Sequence, residues 1–115
     1  RPYTVTTKFF AIANDKSFVA NPKDGSRHNR GCAIDLTLIN LKTGKELAMP
    51  TPYDSFAPEA ASDFKNLPEE VIKNRELLQT VMEKNNFRVL NNEWWHFDFI
   101  GWRNFELMDI PFEDL

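Results

Sequence analysis

Between Glu93 and Ile100 the chain reads EWWHFDFI, and no other run limits its fold as strongly. Large aromatic side chains in such close succession are unusual in a helix and suit a central strand of a sheet. Upstream, Cys32 to Asn40 (CAIDLTLIN) alternates as a strand does, with Ala33, Asp35, Thr37 and Ile39 on one face and Ile34, Leu36 and Leu38 on the other. The run Leu41-Lys42-Thr43-Gly44-Lys45 predicts a hairpin turn returning through Glu46 to Met49.

Helical signals lie apart from these strands. Leu67, Val71, Leu78 and Met82 make one stripe, flanked by Leu77 and Val81. Asn66 with Glu69 three residues on resembles a capping box, Pro68 suits a first turn, and Asn85-Asn86 is a stop. Thr4 to Ala13 reads as a short helix, Asn21 to Arg30 as a loop, and Thr51 to Asn66 as an extended surface excursion. Segregated strands and helices predict an α+β fold: a single domain over 1–115, with a central, mostly antiparallel sheet and flanking helices.

With 115 residues the chain is long enough for one core. A net charge of −3, without long runs of like charge, excludes the basic footprint of a nucleic-acid binder. No apolar stretch approaches the ~18–20 residues needed to span a bilayer. The single cysteine, Cys32, rules out an internal disulfide framework and any cysteine-based zinc cage. The chain opens on Arg1-Pro2 without an initiator methionine. The expectation is therefore the C-terminal part of a longer chain, its compartment left open.

Chemistry narrows to the two histidines. His28 precedes Asp35, and His96 follows Glu93. A lone histidine is more often a structural residue than a ligand, but here both sit where a loop meets a strand and both have acidic company. A catalytic zinc takes three ligands from His, Asp or Glu and keeps a fourth position open for water. His28, Asp35 and His96 supply such a set, and Glu93 remains as a general base. On a regular strand, Glu93 and His96 would point to opposite faces. They can share a metal only if the backbone bulges between them, or if Glu93 still belongs to the preceding loop. Cys32 reads as a small residue entering a strand rather than a nucleophile, since no histidine is dedicated to activating it. Trp94, Trp95 and Trp102 read as core or pocket wall.

The run Ser26-Arg27-His28-Asn29-Arg30-Gly31-Cys32-Ala33-Ile34-Asp35 resembles the SxHxxGxAxD signature of the VanX-like D-alanyl-D-alanine dipeptidases, zinc D,D-peptidases related to hedgehog domains. Glu93-Trp94-Trp95-His96 resembles the second signature of that family, ExxH with two tryptophans. Asp35 to Leu38, Lys42-Thr43-Gly44, Pro52-Tyr53-Asp54 and Asn74 to Glu83 extend the likeness over nearly the whole chain.

The resemblance implies one Zn²⁺ on His28, Asp35 and His96, with Glu93 as acid/base. It implies hydrolysis of the small dipeptide D-alanyl-D-alanine to two D-alanines, in cell-wall dipeptide turnover or glycopeptide resistance. Arg1-Pro2 is similar to the end of a GYRP-like motif, which makes Arg1 the arginine that stabilises the developing oxyanion. The resemblance further implies that Asp54 pairs with the substrate ammonium and that the Ser26 hydroxyl helps hold the dipeptide. Three alternatives remain: a murein carboxypeptidase or endopeptidase, a non-catalytic zinc-binding module, and a mononuclear iron oxygenase, which also uses two histidines and a carboxylate.

Overall fold

The computed structural model describes residues 26–114. The helix expected at Thr4 to Ala13, the start of the Asn21 to Arg30 loop, and Arg1 lie outside the described residues. The described residues divide into two compact units, one of residues 34–100 and one of residues 26–33 with 101–114.

In the larger unit the Glu93 to Ile100 segment is the central strand. A three-stranded sheet has the order β1-β3-β2, with β1 at Ala33–Asp35, β2 at Phe87–Leu90 and β3 at Glu93–Phe99. Strands β2 and β3 are antiparallel, with Phe87 opposite Phe99, Arg88 opposite Asp98 and Val89 opposite Phe97. The α+β expectation holds.

β1 is shorter than the alternation from Cys32 to Asn40 predicts. After Leu36, whose N–H donates to the Trp95 carbonyl at 3.0 Å, the chain changes partners. Leu47 N–H donates to the Leu38 carbonyl at 2.9 Å, and Ile39 bridges Glu46. The hairpin predicted around Lys42 to Gly44 therefore forms and draws the second half of the run away from β3. Gly44, at φ +70°, takes the left-handed conformation that its turn requires.

Among the described residues one α-helix, α1, runs Glu69–Lys84 and packs against β2. It ends as predicted, with Asn85 as C-cap and Asn86 left-handed at φ 67°. The start differs from expectation. Pro68, not Asn66, holds the N-cap position, and no side chain caps the helix. Asn66 lies two residues too early to reach the first-turn N–H groups. Glu69 and Glu70 instead place negative charge against the helix N-terminus.

Of the predicted stripe, Val71 and Leu78 are buried and Met82 packs against the core, whereas Leu67 precedes the helix. That core consists of Ala60, Leu78, Trp94, Trp95 and Phe97, covered by Leu36, Leu38, Met49, Phe87 and Val89. The Thr51 to Asn66 excursion contributes Ala60 to it, from a single 3-10 turn at Pro58–Ala60. Among the described residues no helix is long and apolar enough to cross a membrane.

In the other unit, Arg27–Arg30 form a 3-10 turn that the sequence reading treats as loop. Ser26 and Asn29 cap it reciprocally, and Gly31 ends it at φ 67°. A Cβ on Gly31 would lie 3.1 Å from the Met108 methyl, so both the backbone angle and the space favour glycine there. Met108 N–H donates to the Asn29 carbonyl at 2.6 Å. The Trp102 ring carries Arg27 and Arg103, each 4.5 Å from its centroid.

Candidate metal centre

The alternation problem between Glu93 and His96 is resolved by an irregularity in β3. The β2–β3 register runs evenly to Val89 opposite Phe97, then jumps so that Leu90 pairs with Glu93. Trp94, Trp95 and His96 have no partner in that register, so the strand bulges over these three residues. Strict alternation is lost, and Trp94 through Phe97 are four buried residues in succession. Glu93 belongs to the strand rather than to the preceding turn. The bulge returns its carboxylate to the side of His96, with Oε2 3.6 Å from His96 Nδ1.

Two further carboxylates meet the same imidazole. Asp35, at the end of β1, places Oδ1 3.2 Å from His96 Nδ1. Asp98 accepts from Nε2 at 2.7 Å. The His96 side chain is only 7% exposed, and those of Asp35, Glu93 and Asp98 are 13–15% exposed. Burial by itself pulls the His96 pKa down. Hydrogen bonds to Asp35 and Asp98, with the charges of Asp98 and Glu93, outweigh it and raise the pKa to about 9. Asp35 is held from its other oxygen, where Tyr53 Oη donates to Oδ2 at 3.1 Å. The Tyr53 ring in turn meets Trp95 edge-on, 5.7 Å between centroids.

Of the residues singled out in the sequence, the larger unit thus brings together Asp35, Glu93 and His96. Asp54 belongs to the same unit, exposed and left-handed at φ 59°, a conformation that aspartate tolerates better than most side chains. In the other unit, His28 is half-buried on the Arg27–Arg30 turn. Its backbone N–H donates to Ser26 Oγ at 3.2 Å, so Ser26 helps shape the turn that carries the imidazole. Arg1 lies outside the described residues.

Two residues at the site escaped the sequence reading. Asp98 stands two positions after His96, the spacing of neighbours on one strand face, and that spacing is its signal. Tyr53 lies in the Pro52-Tyr53-Asp54 segment of the likeness, but its bond to Asp35, 18 residues away, is made only by the fold.

Chemically the donor set suits a divalent ion. In the larger unit Asp35 and His96 each offer one ligand atom, a carboxylate oxygen and an imidazole nitrogen, and in the other unit His28 offers an imidazole nitrogen. Nitrogen and oxygen donors of these kinds suit a divalent metal ion. The crowding of carboxylates at His96 Nδ1 favours a positive charge at that position, whether a proton or a metal ion.

The D-ala-D-ala dipeptidase family model matches residues 3–112. The chain belongs to the D-ala-D-ala dipeptidase family. A D-alanyl-D-alanine dipeptidase of Enterococcus faecalis is 32% identical over 99 residues, covering 86% of this chain and 44% of that relative. One from Escherichia coli is 32% identical over 98 residues, covering 85% of this chain and 50% of the relative. One from Streptomyces coelicolor is 35% identical over 83 residues, covering 72% of this chain and 40% of the relative. The chain thus spans half or less of the length of these family members. The family to which the two signatures point is the one that residues 3–112 match.

Proposed function

We propose that this chain carries the catalytic centre of a zinc-dependent dipeptidase that hydrolyses D-alanyl-D-alanine to two D-alanines. The observation that carries the proposal is the placement of two carboxylates, Asp35 and Glu93, at one nitrogen of His96. One serves as a metal ligand and the other as a base beside it.

In this reading His28, Asp35 and His96 hold one Zn²⁺. When bound, the ion supplies Lewis acidity, polarising the peptide carbonyl and making water acidic enough to lose a proton near neutral pH. Glu93 takes that proton and delivers it to the departing amine, so one carboxyl group serves as base and then as acid. Glu93 suits this task because it is largely buried beside the ligands yet bonded in a strand that fixes its position. Asp54, exposed on its turn, accepts the free ammonium of the dipeptide. That pairing favours a substrate with an unblocked N-terminus over a peptidoglycan stem. Ser26 holds the dipeptide through its hydroxyl, and Arg1 steadies the oxyanion. Support for these roles comes from the donor chemistry, from family membership and from relatives that are named D-alanyl-D-alanine dipeptidases.

The test combines elemental analysis with release of free D-alanine from D-Ala-D-Ala and from its N-acetylated form. One zinc per chain, with turnover of the free dipeptide alone, is expected. Zinc with turnover only of the blocked peptide would move the activity to a murein peptidase, and zinc without turnover of either to a binding module.

A further inference from the structure

We propose that Asp98 is the positioning residue of the metal centre, holding the His96 ring so that Nδ1 alone is presented to the ion. This rests on the metal-binding role proposed for His96 and adds a residue that neither signature contains.

The two nitrogens of His96 have separate surroundings. Nδ1 faces Asp35 Oδ1 at 3.2 Å and Glu93 Oε2 at 3.6 Å. Nε2 faces Asp98 Oδ1 at 2.7 Å, the shortest of the three contacts. A carboxylate can only accept, so this bond requires the proton on Nε2 and leaves the Nδ1 lone pair for a ligand bond. Asp98 lies on the other side of the ring from Asp35 and Glu93, which makes it a support rather than another ligand. Both partners are largely withdrawn from water, the His96 side chain 7% and that of Asp98 13% exposed.

The backbone shows why a support is needed. His96 falls in the part of β3 that has no register partner on β2, whereas Asp98 pairs with Arg88 in the regular part of the ladder. The ligand therefore sits on bulged backbone and its support on fixed backbone. A hydrogen bond from one to the other transfers the order of the ladder to the imidazole. Outer carboxylates of this kind commonly set ligand orientation and basicity, and their loss costs about 10–100-fold in metal affinity.

Zinc affinity, measured by competition with a chromophoric chelator, and the thermal midpoint of the metal-free chain test the assignment in Asp98→Ala and Asp98→Asn. Asp98→Ala is expected to bind zinc about 10–100-fold more weakly. Asp98→Asn keeps an acceptor oxygen and should recover part of that loss. A purely structural role would lower the metal-free midpoint in Asp98→Ala and leave zinc affinity unchanged, which overturns the proposal. If Asp98→Ala does not fold, Asp98→Asn decides, and wild-type affinity in that variant overturns it equally. Failure of the parent chain to bind zinc would remove the metal centre itself, an outcome separate from a parent that binds zinc and a variant that binds it as well.

Discussion

His96 gathers three carboxylates around one buried ring, and its protonation is correspondingly altered. The folded-state pKa of about 9 stands above the ordinary value of 6.5. In the metal-free chain, folding thus favours the protonated ring, a contribution present in full below about pH 6.5 and lost as pH rises through 9. Urea midpoints measured in the presence of chelator should fall across that window, and the decline should be shallower in His96→Gln. A metal ion has to displace the same proton, so zinc affinity should rise with pH over the same range. Glu93 carries a different expectation. Glu93→Gln keeps the size of the side chain and removes the base, so turnover should drop by about 10²–10⁴-fold while zinc is retained. Full turnover with zinc in place would exclude Glu93 as the base.

Secondary structure reaches the site through one departure from regularity. A regular β3 would send Glu93 and His96 to opposite faces, and the three-residue irregularity opposite Val89–Leu90 reunites them. The same irregularity presents Trp94, Trp95 and Phe97 to the core in near succession, so packing of the core and assembly of the site depend on one piece of backbone. Helix α1 shows a second departure. Its apolar stripe is interrupted at Arg75, which is buried at 5% exposure and donates from Nη1 to the Phe64 carbonyl at 2.6 Å. Burial pulls the Arg75 pKa down, opposed by the charges of Glu76 and Asp63. The excursion between Thr51 and Asn66 is thereby fastened to the helix by a polar anchor that hydrophobic periodicity does not reveal. Leu78, 1% exposed in the same core cluster as Trp94 and Phe97, is the apolar counterpart. Leu78→Ala should destabilise the chain by about 2–5 kcal/mol in urea unfolding.

At the scale of the molecule, an ion that binds only the folded chain must stabilise it. Free zinc at about 100 times its dissociation constant should add about 2.7 kcal/mol. Thermal melts should therefore move up with zinc and back down with chelator. Indifference to both would contradict a metal held by His28, Asp35 and His96. The family match over residues 3–112 agrees with what the signatures imply, and its reach along the chain explains why two short motifs were informative. Zinc ligands and a base must keep their chemical identity, whereas core residues need only keep volume and apolarity. The two signatures are for that reason more legible in the residues than the fold that holds them.

By itself the sequence determined the central aromatic strand, the inner face and C-terminal stop of α1, the Lys42–Gly44 hairpin and the family. Each follows from local periodicity, turn chemistry or residue identity, which operate over a few neighbouring positions. Only the tertiary structure decided that β3 bulges between Glu93 and Phe97, that Tyr53 grips Asp35 and that Pro68 rather than Asn66 begins α1. The first two depend on which segments lie alongside one another, since a bulge exists only relative to a partner strand and a hydrogen bond only where two stretches of chain meet. The last depends on where the first helical turn can close once α1 is laid against β2.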